Sequence, residues 1–225
     1  VLNELGLALM LVGRTGEAMP FFERSRAIEQ ALENWAEVCV RYRNAMDLNF
    51  ILGNLAACEA DAAQSLAFAR QANDPKEMLK SLVNYAWVLS MRGDSATAQS
   101  LFAEAEDLQR ALDPAVPYLN GLLGIRQTEH LLRTGQRAYA REVAEHNRRA
   151  CELNGWLPYQ SQCRSGLGEL DAHAGRFDSA LDHYDAAVEL STTISHRYAY
   201  AEALTARGAL RALFARCCRG AQRPR

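Results

Sequence analysis

Cysteine and histidine are the residues of this 225-residue sequence best suited to bind a metal ion or to act as nucleophiles. The six cysteines are Cys39, Cys58, Cys151, Cys163, Cys217 and Cys218, and the five histidines are His130, His146, His173, His183 and His196. No two cysteines form a C-x-x-C pair, and His146 and Cys151 are five residues apart, which is unsuited to a shared helix face. We therefore predict reduced thiols in a cytoplasmic protein, with no metal site and no cofactor.

Sequence motifs of enzymes are also missing. Neither lysine, Lys76 or Lys80, follows a glycine, so the sequence has no phosphate-binding G-x-x-x-x-G-K-[ST] loop. Gly166 and Gly168 begin a dinucleotide-binding fingerprint but lack its third small residue, and they lie in a helical pattern rather than after a strand. The serine elbow G-x-S-x-G, the H-E-x-x-H pair and the calcium-binding loop do not occur. The sequence thus predicts a protein that is not an enzyme.

Charge and hydropathy exclude two further classes of partner. The formal net charge of −2 argues against nucleic-acid binding, which favours a strongly basic balance. The longest nearly apolar run, from Leu5 to Gly13, is too short to span a bilayer, so we predict no membrane partner. The run from Arg207 to Arg225 carries six arginines, which predicts a solvated last helix and a disordered tail. Because the sequence starts at Val1 rather than Met, we expect it to be part of a longer protein.

A repeat of about forty residues organises the chain. Glycines recur at Gly13, Gly53, Gly93, Gly135 and Gly175. Five residues after each glycine stand small residues, namely Ala18, Cys58, Ala98, Ala140 and Ala180. Nine residues after each glycine stand Phe22, Ala62, Phe102, Ala144 and Tyr184, and seven before stand Gly6, Met46, Ala86, Thr128 and Gly168. Repeats two and four depart from the pattern at Met46, Ala62, Thr128 and Asn147, so their helix packing is less defined by the sequence.

Each repeat is predicted to contain two helices. The glycine ends the first helix in a left-handed conformation, and Asn54 or Asp94 directly after it caps the second helix. Asp74-Pro75 indicates a cap followed by a proline in the first turn. Pro20 is a misfit, because it removes a hydrogen bond from the second helix unless that helix begins late. No stretch alternates apolar and polar residues for long enough to predict a strand, so the fold class is all-α.

Two sequence segments resemble a known type of repeat. Gly93-Asp94 with Ala98, Phe102 and Ala105 resembles the tetratricopeptide signature, as does Leu167-Gly168 with Gly175, Ala180, Tyr184 and Ala187. The resemblance implies a right-handed superhelical solenoid of about five helix pairs and a terminal helix. We expect one array over residues 1–216, with repeats at 1–32, 33–73, 74–113, 114–155 and 156–195, a terminal helix at 196–216, and a basic, disordered tail at 217–225.

A looser resemblance concerns residues 117–209. Pro117-Tyr118-Leu119 and Asn154-Gly155-Trp156-Leu157 are similar to parts of the carboxy-terminal tetratricopeptide arrays of bacterial STAND/NACHT-type signalling ATPases. In those proteins the array senses the trigger. The resemblance implies a sensor or adaptor that binds a protein or peptide. A structural module that self-associates into a homo-oligomer remains the alternative.

The first helix of each pair is expected to line the concave side of a solenoid. Residues at the positions of these helices that face the concave side are therefore the candidates for partner binding. The middle of the array offers a possible aromatic anchor, and later positions are acidic. The candidates are Arg43, Asn44, Asp47, Phe50, Lys80, Asn84, Trp87, Met91, Glu129, Arg133 and Glu169. Phe50 and Met91 are equally compatible with packing between repeats.

Four of these candidates resemble features of peptide-binding tetratricopeptide proteins. Asn44 and Asn84 share one phase and resemble an asparagine ladder, whose amides can hold a peptide backbone. Arg43 and Lys80 resemble the clamp that grips a terminal carboxylate in chaperone-binding members. Asn3 and Leu7 stand where that clamp requires a cation and an amide, so binding of a chaperone tail is disfavoured.

Overall fold

The computed structural model describes residues 1–193 and 197–221, and over these ranges every regular element is a helix. The predicted all-α fold is confirmed. A 3₁₀ turn covers Thr15–Glu17. The eleven α-helices of the described ranges are α1 Leu2–Leu11, α2 Met19–Ala31, α3 Trp35–Ile51, α4 Leu55–Ala72, α5 Pro75–Arg92, α6 Ser95–Leu112, α7 Leu122–Arg133, α8 Arg137–Leu153, α9 Leu157–His173, α10 Phe177–Thr193 and α11 Arg197–Ala221.

The chain divides after Pro117 into two compact units, and the single array predicted over residues 1–216 stays a prediction. The first unit holds α1 to α6 and the second holds α7 to α11. The segment between α6 and α7 is not helical, and its prolines, Pro114 and Pro117, have no N–H for helical hydrogen bonds. This connector is longer than the turns within each unit of the described chain.

Each unit is built from consecutive helices that pack as pairs. In the first unit the pairs are α1–α2, α3–α4 and α5–α6. In the second unit the pairs are α7–α8 and α9–α10, and α11 packs against both α9 and α10. Helix α11 continues to Ala221, beyond the expected end at residue 216. His196, the side chains of Cys217 and Cys218, and residues 222–225 of the expected tail lie outside the described residues.

The turns inside the pairs have the predicted conformations. Gly53 and Gly93 have φ of +75° and +95°, a region that L-residues with a side chain rarely adopt. Asn54 then accepts a hydrogen bond from the Ala57 N–H at 3.3 Å, and Asp94 accepts one from the Thr97 N–H at 3.1 Å. These two predicted caps are confirmed, because each satisfies a donor that the helix itself leaves unpaired.

Proline positions also follow from helix geometry. Asp74 accepts from the N–H groups of Lys76 and Glu77 at 2.9 and 3.1 Å, with Pro75 in the first turn, as predicted. Pro20 fits for the reason that the sequence left open: α2 begins only at Met19, after the 3₁₀ turn. The first N–H groups of a helix have no carbonyl partner within the helix, so the missing N–H of Pro20 removes no helical hydrogen bond.

Close approach of the two helices of a pair depends on a small residue that faces an aromatic ring. A Cβ on Gly168 of α9 would lie 2.8 Å from Cε1 of Tyr184 on α10. A Cβ on Gly6 of α1 would lie 2.5 Å from the same ring atom of Phe22 on α2. Both distances are too short for real contacts, so the absence of a side chain sets the spacing of these pairs.

Repeat two packs its two helices together with the sizes of the two contacting residues exchanged. Met46 stands where the other repeats have a small residue, and Ala62 stands at a position that is aromatic in three of the repeats. Both side chains are fully buried, on α3 and α4, which pack against each other. A large residue on the first helix thus compensates for a small residue on the second, since packed interiors conserve volume.

Repeat four departs from the pattern at Asn147 because this side chain makes hydrogen bonds to the backbone. The side chain of Asn147 on α8 accepts from the Gly121 N–H at 2.7 Å and donates to the Gly121 carbonyl at 2.9 Å. It thereby fixes the backbone directly before α7. Gly121 has φ of +60°, and the buried amide satisfies both of its backbone groups.

Two glycines of α9 provide a matched test of this packing. We expect Gly168→Ala to lower the free energy of unfolding by about 1–3 kcal/mol, because the Tyr184 ring is buried and has to shift. Gly166→Ala is the control, since its Cβ would meet only Thr128 Cγ2 at 3.7 Å. That control should gain about 0.5–1 kcal/mol from helix propensity. Urea unfolding followed by circular dichroism measures both, and equal effects of the two variants would contradict the packing argument.

Candidate binding surfaces

The two cationic candidates of the first unit bind a carboxylate of the protein itself. Arg43 on α3 lies 2.7 Å from Glu77 Oε2, and Lys80 on α5 lies 2.6 Å from Glu77 Oε1. Burial raises the pKa of Glu77, but the charges and hydrogen bonds of Arg43 and Lys80 outweigh it and hold the pKa below its usual value. Glu77 therefore occupies the place that the sequence resemblance assigned to a partner's terminal carboxylate.

The asparagine candidates are directed into the fold. Asn44 on α3 donates from Nδ2 to Asn3 Oδ1 at 2.7 Å, which ties α3 to α1. Asn84 on α5 is only 2% exposed. Neither amide stands open on the surface in the way that a peptide-binding ladder requires. The sequence predicted which face of the helix these residues lie on. A helical pattern does not show how much of that face the neighbouring helices bury.

The aromatic candidates pack between repeats. The rings of Phe50 on α3 and Trp87 on α5 meet edge to face with centroids 4.6 Å apart, and Trp87 is 5% exposed. Asp47 and Met91 are half-buried on the same two helices. The expected anchor pocket at Trp87 is thus corrected: this ring is a core residue, because the neighbouring first helix brings Phe50 against it.

Burial of Trp87 changes the expected result of its mutation. We expect Trp87→Ala to lower the free energy of unfolding by about 3–5 kcal/mol, since it leaves a large cavity between α3 and α5. Leu52→Ala, at a residue that is 50% exposed, should cost less than about 1 kcal/mol. Chemical denaturation of the two variants is the measurement. A Trp87→Ala protein as stable as the parent would place the ring outside the core.

Acidic candidates of the second unit line a cavity of about 70 Å³. Glu129 comes from α7, Glu169 from α9 and Glu202 from α11, so three helices each contribute one carboxylate. Burial of its carboxyl group raises the pKa of Glu202 to about 7, and the charges of Glu129 and Glu169 add to this effect. As a residue, Glu202 is exposed to solvent.

A buried hydroxyl group completes the cavity. Ser165 lies on α9, is 9% exposed, and its Oγ has no hydrogen-bond partner. Such an unsatisfied buried group is uncommon in folded proteins. Tyr184 and Cys163 also line the cavity. The Cys163 Sγ lies 4.0 Å from the Sγ of Cys151, and both thiols are buried.

The remaining candidates lie at exposed positions of the second unit. Arg133 is exposed near the end of α7. Glu169 is exposed on α9, with Oε1 3.8 Å from His173 Nε2. Within the described ranges no group of three or more histidine, cysteine, aspartate or glutamate residues could hold a metal ion.

A buried polar cluster around Asp171 was missed by the sequence analysis. Asp171 on α9 is 2% exposed and accepts hydrogen bonds from Arg141 on α8 at 2.5 Å, from Arg176 at 2.7 Å, and from Ser179 on α10. His183 lies 3.6 Å away, and burial lowers its pKa. Burial raises the pKa of Asp171, but the hydrogen bonds together bring it to about 2. The cluster fastens three helices to one another.

A signal for this cluster exists in the repeat. Four residues before the repeat glycines stand Leu9, Asn49, Leu89, Leu131 and Asp171. Two polar residues in a leucine column indicate buried polar pairs across the helix hairpin. Asn49 indeed donates to Asp61 at 2.8 Å, eight residues after its glycine, and His183 occupies that same position near Asp171.

The depressed pKa of Asp171 predicts a pH-dependent stability. Its contribution is full above the unfolded-state pKa near 4 and is lost as the pH falls through 2, because the carboxyl group is then protonated in both the folded and the unfolded state. We expect Asp171→Asn to cost about 2 kcal/mol at pH 7 and progressively less below pH 4. Asp182→Asn, an exposed change on α10, is the charge-matched control. Urea titrations from pH 2 to 7 check this, and a difference that persists undiminished at pH 2 would contradict it.

Comparisons with known proteins agree with this architecture. Residues 80–104 and 161–186 match the family model described as tetratricopeptide repeat. The fold is a tetratricopeptide-like helical-repeat fold. No curated protein matches the sequence. Proteins with tetratricopeptide folds are generally non-catalytic scaffolds that bind other proteins or peptides.

Three solved structures illustrate the likeness of this tetratricopeptide-like fold. A thermophilic TPR protein of Thermus thermophilus is 22% identical, with a TM-score of 0.60 over 91% of this chain and 97% of that one. BtubC (BKLC) from P. vanneervenii is 11% identical, with a TM-score of 0.61 over 94% of both chains. The nearly identical TPR-like repeats of a Podosopora anserina putative kinesin light chain are 14% identical, with a TM-score of 0.56 over 85% and 94%. In the described part of the chain, no helix has the length and apolar character needed to span a bilayer.

Proposed function

We propose that this chain captures a protein or peptide partner, as the sensor or adaptor part of a larger bacterial signalling or regulatory protein. The tetratricopeptide matches and the helical-repeat fold support a protein-interaction role. Scaffolds of this kind offer the inner faces of their first helices to the partner. No cofactor takes part in such binding.

One observation carries the proposal: the charged inner-face candidates Arg43 and Lys80 are paired within the first unit, whereas Glu169 is exposed in the second unit. Arg43 and Lys80 share Glu77, and Phe50 packs on Trp87. In the second unit Glu169 is exposed at the cavity that it lines with Glu129. An exposed charge contributes little to folding, so we assign Glu169 to partner binding. The second unit is therefore the main docking surface of the scaffold.

The sensor role rests on the resemblance of residues 117–209 to the terminal arrays of signalling ATPases. Asn154, Gly155 and Trp156 form the turn between α8 and α9, where Gly155 has φ of +66°, and Leu157 begins α9. Trp156 is 39% exposed in this turn. A large aromatic residue that remains open to solvent next to a docking surface suits a partner contact.

Selection from a displayed library of random peptides tests the proposal. The immobilised chain should enrich peptides that bind with dissociation constants in the micromolar range. Amide chemical shifts of the labelled chain then map each peptide. We expect the perturbed amides to lie on the first helices, above all α7 and α9. Failure to enrich any peptide, or perturbations confined to the second helices, would contradict a scaffold that uses its inner faces.

Self-association is the second candidate function, and one observation favours it. Leu5, Leu11 and Val12 at α1 are 45%, 76% and 62% exposed, which is unusual for adjoining large apolar residues. A module of this kind would dimerise without a peptide. Sedimentation velocity at several concentrations, with Leu11→Gln as the variant, separates the two candidates. A monomer at all concentrations would exclude self-association.

A further inference from the structure

Two cysteine side chains meet inside the second unit, and we call them the thiol pair. Cys151 lies near the end of α8 and Cys163 lies in α9, and their Sγ atoms are 4.0 Å apart. Cys151 is fully buried and Cys163 is 3% exposed. The sulfur atoms of a disulfide are about 2.05 Å apart, so a shift of about 2 Å at this helix junction would join them.

Hydrogen bonds make the thiol pair different from a lone buried cysteine. The Cys151 Sγ donates to Asn147 Oδ1 at 3.6 Å, which leaves the Cys163 S–H to donate to the Cys151 Sγ. This second hydrogen bond lowers the pKa of Cys151, although burial opposes it, and it raises the pKa of Cys163. A thiolate, rather than a thiol, attacks an oxidant. The pair therefore holds one sulfur that ionises readily and a second sulfur in contact with it.

A small cavity gives an oxidant access to the thiol pair. Cys163 lines the cavity of about 70 Å³ together with the exposed Glu169, so the cavity extends from the surface to the sulfur. The share of liquid volume of one water molecule is about 30 Å³, so a molecule of the size of hydrogen peroxide fits. Ser165 Oγ lines the same cavity and has no hydrogen-bond partner among the described residues. Its hydroxyl group can donate a hydrogen bond to a peroxide oxygen.

We propose that Cys151 and Cys163 form a reversible disulfide bond when hydrogen peroxide enters this cavity. One thiolate of the pair attacks a peroxide oxygen, the O–O bond breaks, and a sulfenic acid and hydroxide form. The other thiol attacks the sulfenic sulfur, the S–S bond forms and water leaves. The hydroxide takes up the proton that the first thiol released. In sum the two thiols lose two electrons and two protons, and the peroxide becomes two water molecules.

Oxidation would change the helix packing around the thiol pair. A disulfide has no S–H, so Cys151 no longer donates to Asn147, whose Oδ1 also accepts from the Gly121 N–H at 2.7 Å. Cys151 and Cys163 also flank the turn that carries Trp156, which is 39% exposed. We therefore expect oxidation to shift the amide resonance of Gly121 and the fluorescence of Trp156. This inference goes beyond partner capture and does not depend on it.

Alkylation after peroxide treatment of the folded full chain tests the thiol pair. Trypsin releases both cysteines in one peptide, residues 150–164, and Cys39 in another, residues 27–41. Catalase stops the reaction, and N-ethylmaleimide in denaturant then alkylates every remaining thiol. We expect the 150–164 peptide to escape alkylation with the loss of two hydrogen atoms, and dithiothreitol to restore both thiols.

Cys39 on α3 is the matched control within the same chain. It is fully buried, and its Sγ donates to the Ala36 carbonyl and to Glu77 rather than to a second thiol. Burial raises the pKa of Cys39 to about 11. Because so little thiolate forms at Cys39, we expect the thiol pair to oxidise at least about ten-fold faster.

Variants connect the reaction to the pair and to the cavity. Cys151→Ala and Cys163→Ala each remove the partner sulfur, so the thiol that remains should oxidise several-fold more slowly than the pair. Ser165→Val places methyl groups in the cavity and should slow disulfide formation several-fold relative to Ser165→Ala. Thermal unfolding confirms that each variant is folded.

The possible outcomes are distinct. The inference is overturned if the thiol pair stays open to alkylation until Cys39 is oxidised as well, or if the disulfide forms only after urea has unfolded the chain. A single-cysteine variant that oxidises as fast as the pair would also contradict it. Equal rates in Ser165→Val and Ser165→Ala would overturn entry through the cavity. Peptide selection on the reduced chain tests partner capture separately, so either proposal can fail alone.

Discussion

Contact between a small residue and a large one across each helix pair is the constraint on which the fold depends. Gly168 against Tyr184 and Gly6 against Phe22 set the separation of two pairs, because an added methyl group would overlap the ring. Repeat two meets the same demand with Met46 and Ala62 in exchanged roles. Once this separation is fixed, the direction in which every other residue of the first helix points is also fixed. That direction decides which side chains contact the neighbouring repeat and which face solvent.

That constraint explains why much of the fold could be predicted from the sequence. The glycine period, the caps at Asn54 and Asp94 and the late start of α2 at Pro20 are local events, decided by residues within one turn. The role of Asn147 could not be predicted in the same way, since it holds the backbone of Gly121, which lies outside its helix. The division of the chain at the proline-containing connector depends on packing between repeats. The spacing of the repeat glycines carries no information about that packing, so the division could not be predicted from it.

Candidate site residues were predicted less well, for a physical reason. Helical phase identifies the inner face but does not show how much of that face the next repeat covers. Trp87 and Asn84 are on the expected phase and are buried, while Arg43 and Lys80 are occupied by Glu77. Glu169 differs because it stays exposed on α9.

Zero-length coupling tests the central claim most directly. A carbodiimide activates carboxylates in the complex of the full chain with a lysine-containing peptide, and the amine nearest to an activated carboxylate forms an amide bond with loss of the urea by-product. Mass spectrometry of the digested adduct then identifies the coupled glutamate. The account predicts coupling at carboxylates of the first helices, above all at the exposed Glu169 on α9, and its loss when an excess of the same peptide with its amines acetylated competes. Coupling spread over carboxylates of the second helices, such as Glu145 on α8 and Glu189 on α10, would contradict it.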